Sequence, residues 1–272
     1  MSSTPVEDLA SLATACERAQ AEAMVELARE ARPVADGWMT YGGPGAFLNK
    51  ACGLGLSGAV PEGLAAAVLD FFESRQAEPR VEVSNFVHPS ALQSLGRAGF
   101  QLQEFENVFL RPLGGAAVAV LPVPEGVQLE RVDSADARAV AEYVRVSTSG
   151  FFPDGQDASE AFLDAALRAA RLPGNDSFVA RHEGRAVGAA GCASRHGTTN
   201  LFGASVLPDF RGQGIQTALI LARLQRAWAL GSTRATIVSH PGVATERNAL
   251  HLGFRFAYVR CILVRPGATP SP

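Results

Sequence analysis

The chain has 272 residues, of which 47% are apolar and 19% charged, so it is long enough for about two domains and apolar enough to bury their cores. A formal net charge of −3 and a sequence pI near 6.0 give no electrostatic basis for binding nucleic acid. No apolar run approaches the ~20 residues of a membrane span, and the N-terminus lacks the pattern of a secretory signal. We therefore expect a cytoplasmic protein without a nucleic-acid or membrane partner.

After one long helix, the first half alternates strands and helices. Apolar residues at helical spacing predict one long helix, or two closely joined helices, over 4–31. Pro61 suits the first turn of a further helix, over 61–76. A third helix is predicted to end at Gly99. Strands are predicted over 35–43, 46–56, 80–86 and 101–113.

A stretch rich in glycine and proline, 114–125, predicts a linker, and a second series of elements follows it. A hairpin over 176–196 is predicted to turn at the sequence EGR, and Ser134 is predicted to cap a helix. The other predicted strands are 127–132, 198–208, 234–240 and 255–266, and the predicted helices are 134–147, 159–172, 214–230 and 244–254.

The two halves end in similar sequences. Without a gap and with a shift of 154 positions, residues 80–112 align with 234–266, so that Gly99-Phe100 falls on Gly253-Phe254 and Arg111-Pro112 on Arg265-Pro266. The shared order of strand, helix, Gly-Phe and strand predicts a repeated fold. Under the same shift, Arg211 falls on Ser57 and Gly214 on Val60, so only the second half keeps the loop described next.

The four cysteines, Cys16, Cys52, Cys192 and Cys261, are widely spaced, and none belongs to a CxxC pair. This spacing argues against a zinc site or a disulfide framework, and we expect reduced thiols and no metal. Cys192 lies on a predicted strand, where core packing is a simpler role than that of a nucleophile.

The sequence DFRGQGIQT connects a predicted strand to a predicted helix. A glycine-rich turn at this junction exposes backbone N–H groups at the positive end of the helix dipole, which favours an anion such as phosphate. No acidic residue occurs over 210–245, so the helix start has no carboxylate of its own. A Walker loop would need a lysine, and a dinucleotide site would need an acidic residue for the ribose. A pyrophosphate such as that of coenzyme A fits better.

The sequence RGQGIQ, 211–216, resembles the R/Q-x-x-G-x-G/A acyl-CoA motif of the GNAT superfamily of N-acetyltransferases, and the element order over 122–267 is similar to that of the family. Residues 36–113 resemble a degenerate and shortened copy. The resemblance implies an α/β (α+β) fold with two GNAT-like domains, each a mixed, mostly antiparallel sheet flanked by helices. The implied domains are a degenerate one over 1–113, the linker 114–125, and a catalytic one over 126–267.

The resemblance also implies acetyl-CoA as the acyl donor. The strand before the loop would separate from its neighbour and offer backbone groups to the pantetheine arm, with the Val206 N–H polarising the acetyl carbonyl. Gln216 departs from the Gly or Ala of the family, and its larger side chain would narrow the pyrophosphate site. The implied cofactor-binding residues are Ser205, Val206, Leu207, Arg211, Gly212, Gln213, Gly214, Ile215, Gln216, Thr217 and Asn248.

The general acid and base are less clearly indicated. Family members often use a tyrosine four residues before the Gly of Gly-Phe as the acid, and that position is Ala249 here. Tyr258 is a candidate substitute, with a buried core tyrosine as the simpler alternative. His240, at the end of a predicted strand, is a candidate base because imidazole is a common general base, although a solvent-facing histidine explains it equally well.

The implied function is acetyl-CoA-dependent N-acetylation of a primary amine by direct attack in a ternary complex. The acceptor is expected to be a small-molecule or peptide amine, and a homodimer is left open. The alternative is a non-catalytic acyl-CoA-binding or partner-binding module, which Ala249 favours. A dinucleotide-dependent enzyme is a weaker third alternative, because the span 210–245 lacks an acidic residue.

Overall fold

A computed structural model describes residues 8–114, 123–152 and 157–266. The chain forms two compact units, of which the first comprises Met1–Asn107 and Ala257–Pro272 and the second Val108–Phe256. Each is a mixed sheet flanked by helices, as predicted. Within the described ranges no helix has both the length and the apolar character needed to cross a membrane. Residues 115–122 of the predicted linker lie outside those ranges.

The first unit begins with helix α1, Leu9–Leu27, whose first turn is capped by the side chain of Asp8. The prediction of a helix over 4–31 was wrong at its end, because Glu30–Val34 is strand β1. Pro33 disfavours the helical conformation at the residue before it. The predicted strand over 46–56 is likewise shorter, and the two glycines that follow it, Gly53 and Gly55, have positive φ.

The sheet of the first unit is mostly antiparallel. Its other elements are β2 Gly37–Tyr41, β3 Lys50–Cys52, α2 Leu64–Glu73, β4 Arg80–Ser84, α3 Pro89–Arg97, the first part of β5 Gln101–Pro112, and the second part of β11 Arg255–Val264. Strand β3 runs parallel to β4, whereas β11 pairs antiparallel with β4. Phe71 and Phe72 of α2 pack on Val81 and Val83 of β4 to form the core.

The second unit contains an antiparallel meander followed by a parallel strand. Its elements are the end of β5, β6 Val127–Arg131, α4 Ala137–Thr148, α5 Glu160–Arg171, β7 Asn175–His182, β8 Arg185–Arg195, β9 Thr198–Val206, α6 Ile215–Ala229, β10 Arg234–Ser239 and α7 Ala244–His251. The hairpin of β7 and β8 turns at Glu183-Gly184, as predicted. Helix α4 is capped by Asp136 rather than by Ser134, because the Asp136 carboxylate accepts two backbone amides of the first turn.

Both faces of the meander are covered by helices. Helix α6 places Ile215 and Leu219 against the strands on one face. Helix α4 packs on residues that include Val179 and Ala189. The strands of the meander are therefore buried between α4 and α6, and this packing holds β9 in place.

The structure repeats between the two halves at the shift of 154 positions. Shifted in this way, α2 falls within α6, β4 falls within β10, α3 overlaps α7, and β5 overlaps β11. The glycine that ends the helix in each copy, Gly99 or Gly253, has positive φ, at 85° and 79°. The weak sequence repeat therefore corresponds to a repeated order of structural elements.

Candidate active site

Strands β9 and β10 separate part-way along their length. Their parallel pairing runs from Thr198 opposite Arg234 to Leu201 opposite Ile237, and the register of these two described strands contains no later pair. Strand β9 nevertheless continues to Val206 and β10 to Ser239. Backbone groups on the β10 side of the end of β9 are therefore available to a ligand in this gap.

A β-bulge lies where β9 begins to separate. On the other side of β9, Ala189 of β8 pairs with Ser205 and Gly191 pairs with Phe202, so that two residues of β9 lie opposite the single Ala190. One of the two is Gly203, with a φ of 56°. A glycine in the left-handed region is typical of such bulges, which bend the strand that carries them.

The bulge determines which backbone groups face the gap. The Leu207 N–H donates to Val187 O of β8 at 2.9 Å. Because successive residues of a strand present their backbone groups to opposite sides, Val206 directs its N–H and C=O away from β8 and towards the gap. This orientation is the one that the expected contact between Val206 and the acetyl carbonyl requires.

The glycine-rich loop leads into the uncapped start of α6. A short 3-10 turn, Pro208–Phe210, comes first, and Gly212 and Gly214 follow with φ of 75° and 82°. Gly214 is the N-cap of α6 and supplies no side-chain cap, and the first turn contains no acidic residue. The N–H groups of the first turn therefore lack a side-chain acceptor, and the helix dipole favours an anion beside them. A Cβ added at Gly212 would meet no atom within 4 Å, so the loop is open there.

Three side chains of the loop make local contacts. The exposed Arg211 donates from Nε to Val206 O at 3.0 Å, which ties the loop to the end of β9. Gln213 donates from Nε2 to Asp209 O at 3.2 Å. Gln216 donates from Nε2 to Thr245 Oγ1 at 2.9 Å.

Gln216 points to α7 and not to the loop amides. Besides its bond to Thr245, its Oε1 accepts from Asn248 Nδ2 at 2.8 Å. The side chain that departs from the family motif therefore connects the start of α6 to α7. Asn248, implied as a contact to the cofactor, is held by Gln216 in this arrangement.

Ser205 contacts the end of α4. Its Oγ lies 3.2 Å from Ser149 Oγ, and a Cβ added at Gly150 would come within 2.7 Å of it. The Ser205 side chain is buried, so the segment after α4 is packed closely against the end of β9.

The two candidates for acid and base lie in different environments. His240 is exposed and directly follows β10. Since the carboxyl ends of parallel strands meet at one edge of a sheet, His240 and Val206 share an edge. Ala249, where the family often has a tyrosine, is fully buried in α7.

Tyr258 belongs to the first unit, whereas the loop belongs to the second. Its hydroxyl is buried and donates to Glu17 Oε1 at 2.7 Å, and Arg260 Nη2 donates to the same oxygen at 2.8 Å. Burial and the adjacent Glu17 carboxylate raise the pKa of Tyr258 far above its usual range. These contacts make Tyr258 part of a buried charge cluster, which is the core role considered as the alternative for it.

Cys192 is fully buried in β8, and burial raises the pKa of its thiol to about 11. A thiol that stays protonated is a poor nucleophile, which agrees with the interpretation of Cys192 as a core residue. No group of three or more residues suited to bind a metal occurs in the described ranges.

In the first unit, the segment that leads into the corresponding loop binds the carboxylate of Asp36. The Asp36 carboxylate accepts the backbone amides of Gly55, Leu56 and Ser57, at 2.5, 2.8 and 2.7 Å. Burial opposes ionisation of Asp36, but the amides of Ser57 and Gly55 outweigh it and hold its pKa below the usual range. At the shift of 154 positions Gly55, Leu56 and Ser57 align with Asp209, Phe210 and Arg211, so an internal carboxylate binds the amides that lead into the first copy of the loop.

Sequence reasoning missed the bulge and the fully buried Arg223 of α6. Two signals were present. A single glycine inside a strand, Gly203, often indicates a bulge. Arg223 follows Ile215 and Leu219 at intervals of four, which places it on the buried face of the helix.

The second unit thus combines a mixed sheet whose parallel strands diverge with an uncapped, glycine-rich helix start. Residues 139–254 match the model of the acetyltransferase (GNAT) family, and this part of the chain is a GNAT acetyltransferase domain. No curated protein matches the sequence.

Solved structures share the fold. A GCN5-related N-acetyltransferase from Kribbella flavida superposes with a TM-score of 0.71 at 19% identity, over 95% of this chain and 97% of that one. A second, from Sphaerobacter thermophilus, gives 0.57 at 18% identity, over 75% and 69%. A tandem GNAT protein from the clavulanic acid biosynthesis pathway gives 0.57 at 16% identity, over 87% and 75%. At these identities the similarity concerns the fold.

Proposed function

We propose that the second unit is an acetyl-CoA-dependent N-acetyltransferase that transfers the acetyl group directly to a primary amine of a small molecule or peptide. The observation that carries the proposal is the combination of an open, uncapped loop at the start of α6 with the gap between β9 and β10. Acetyl-CoA supplies an activated thioester and, through its pyrophosphate, an anion for the loop.

The loop fits a pyrophosphate in charge and in space. The N-cap Gly214 offers no side-chain acceptor to the amides after it, the first turn of α6 contains no acidic residue, and a Cβ at Gly212 would meet no atom within 4 Å. Because Gln216 is directed to α7, its side chain leaves those amides exposed. The loop residues Arg211–Thr217 are therefore the proposed contacts to the phosphates, with Arg211 exchanging its bond to Val206 O for one to a phosphate oxygen.

The end of β9 would bind the thioester. The Val206 N–H faces the gap and would donate to the acetyl carbonyl oxygen, where negative charge develops as the amine attacks. One such donor contributes about 3 kcal/mol of transition-state stabilisation. Ser205 and Leu207 direct their backbone groups to β8, as the bond from Leu207 N–H to Val187 O shows, so in this proposal they flank the thioester and Val206 alone of the three donates to it. The rest of the rate enhancement comes from holding two reactants together.

Two proton transfers accompany the reaction. The amine must lose a proton before or during its attack, and the leaving thiolate must gain one. His240, at the edge that it shares with Val206, is the proposed base. Position 249 of α7 is alanine and cannot donate a proton, so we propose that the thiolate takes its proton from solvent.

Calorimetry with acetyl-CoA tests the cofactor site. We expect saturable binding to the unaltered protein and its loss in Gly214→Glu, because the new carboxylate would occupy the anion site. The matched control is Gly231→Glu, since Gly231 is also a positive-φ glycine, with φ of 76°, at the opposite end of α6. Absence of binding to the unaltered protein, or equal effects of the two substitutions, would refute the proposal.

Ala249 supports a second candidate, a non-catalytic acyl-CoA-binding or partner-binding module. A fully buried alanine occupies position 249, where family members often have the tyrosine acid. Release of thiol measured with a broad panel of amines separates the two candidates. Steady turnover with any amine eliminates the module, and binding without turnover favours it.

For the first half we propose a degenerate copy of the same fold, with limits of the sequence repeat at 1–113 and 126–267. These limits differ from those of the compact units, because residues from 257 onward belong to the first unit and residues 108–113 to the second. The loop of the first half contains Ser57 where the second has Arg211, and the Asp36 carboxylate already accepts the Ser57 amide and that of Leu56 before it. We propose that it binds no coenzyme A. A stoichiometry of one acetyl-CoA per chain in the same calorimetric titration is the expected result, and two sites would contradict it.

A further inference from the structure

Arg223 is the largest of the fully buried side chains in the structure. It lies on α6, two turns after Ile215, on the face that packs against the sheet. Arginine is almost never fully buried without a charged partner. Burial lowers the pKa of Arg223 to about 10, and the hydrogen bonds that its guanidinium makes to described residues go to backbone oxygens and not to a carboxylate. Burial of a guanidinium without a carboxylate partner is costly, so the bonds that it does make indicate its role.

Within the described residues, the hydrogen bonds of the Arg223 guanidinium go to backbone carbonyls. Its Nε donates to Leu219 O at 3.0 Å within the helix. Its Nη1 donates to Gly191 O at 3.1 Å and to Phe202 O at 3.4 Å. Nη2 has no hydrogen-bond partner among the described residues. Gly191 and Phe202 are the paired residues at which the β-bulge begins, so Arg223 donates to both strands there.

The bulge is also packed tightly from the α4 side. A Cβ at Gly191 would lie 2.6 Å from the Tyr143 hydroxyl and 2.6 Å from Cε2 of Phe202. The same hydroxyl lies 3.6 Å from the Cβ position of Gly203. The bulge is therefore held between Tyr143 on one side and the Arg223 guanidinium, which donates to its carbonyls.

The direction of the Val206 N–H depends on this bulge. Without the extra residue, β9 would pair with β8 in regular register, and every later backbone group would turn to the other side of the strand. Ser205 would then present its N–H to the gap, and Val206 would face β8. Loss of the donor to Gly191 O and Phe202 O removes the bonds that hold the bulged arrangement.

We infer that Arg223 is a positioning residue that fixes the β8–β9 bulge and thereby directs the Val206 N–H at the thioester carbonyl. The inference rests on the proposed acetyl-CoA function. It assigns Arg223 no contact with the substrate, so its effect is confined to the thioester end of the site and leaves the pyrophosphate loop intact.

The test uses acetyl-CoA labelled with carbon-13 at the acetyl carbonyl. A hydrogen bond from Val206 should move the carbonyl resonance downfield when acetyl-CoA binds to the unaltered protein. We expect Arg223→Met to lose this shift, and Arg223→Lys to recover part of it. The control is Arg226→Met, one turn further along α6, where Arg226 Nε donates to Asp176 Oδ2 at 2.7 Å. That variant should keep the full shift.

A second measurement separates positioning from general damage. The nucleotide fragment of coenzyme A carries the pyrophosphate and lacks the pantetheine arm. Its Kd should change less than about twofold in Arg223→Met, a difference below about 0.4 kcal/mol, while the carbonyl shift is lost. If both Arg223 variants fail to fold, the carbonyl shift is measured in Gly203→Val instead, because this substitution disturbs the bulge directly. Valine disfavours the left-handed conformation of the bulge, and the Cβ position is uncrowded.

The outcomes are distinguishable. A retained carbonyl shift in folded Arg223→Met, or in Gly203→Val when the arginine variants do not fold, overturns the inference. An equal loss of nucleotide-fragment binding also overturns it, since the effect would then not be confined to the thioester end. If the unaltered protein binds no acetyl-CoA, the proposed function itself fails.

Discussion

Removal of the Asp36 carboxylate should destabilise the first unit and make its stability less dependent on acid. One carboxylate accepts the amides of Gly55, Leu56 and Ser57, and hydrogen bonds to a charged group contribute about 1.5–3 kcal/mol each when buried. Asp36 is exposed, so water replaces much of what is lost. We therefore expect Asp36→Ala to cost about 2 kcal/mol and Asp36→Asn, which keeps one acceptor oxygen, about half of that.

The assay is urea unfolding followed by circular dichroism, with the midpoint and the slope m measured for each variant. The pH dependence has a defined sign. Because the pKa of Asp36 is lower in the folded protein, its stabilisation is present above the unfolded pKa and is lost as the pH falls through the folded pKa. The difference between Asp36→Ala and the unaltered protein should shrink in that acidic range. A cost below about 0.5 kcal/mol at neutral pH, or one that does not change with pH, would refute the reasoning.

Two further predictions concern side chains around the proposed chemistry. Gln216→Ala removes the bonds to Thr245 and Asn248 and should cost about 1 kcal/mol in unfolding free energy. Acetyl-CoA should bind this variant at least as tightly by calorimetry, and a clear loss of affinity would show that Gln216 contacts the cofactor. Tyr258→Phe leaves Glu17 without one donor and should lower stability by about 1–2 kcal/mol, with acetyl-CoA affinity unchanged. Lost turnover at unchanged stability would instead make Tyr258 the acid.

Local sequence signals were sufficient for most helices and for the loop. The glycines at 212 and 214, with no acidic residue in the next turn, predicted an uncapped helix start, and the structure has one. The turn at Glu183-Gly184 was likewise predicted from the residues of the turn alone. Strand β1 was missed because Pro33 lies at the end of a long helical pattern, where a helix end and a following strand differ little in composition.

Contacts between residues that are distant in the sequence could not be predicted from local signals. Tyr258 was a candidate acid because of its position near the Gly-Phe motif, but its hydroxyl is bound by Glu17, 241 positions earlier in the chain. The glycine at 203 indicates a bulge, yet the register that makes Val206 face the gap depends on which residues of β8 pair with β9. Pairing of this kind is decided by packing on both faces of the sheet.

Strand β11 has a consequence for how the protein is made. The first unit needs residues 257–264, because they pair with β4 and because Arg260 and Tyr258 surround the buried Glu17. These residues leave the ribosome only after the whole of the second unit. At about 5–20 residues per second, the N-terminal unit waits on the order of ten seconds for its last strand. During synthesis the second unit is therefore complete first, and a nascent chain released before residue 257 has an unpaired β4 edge and a buried carboxylate without its arginine.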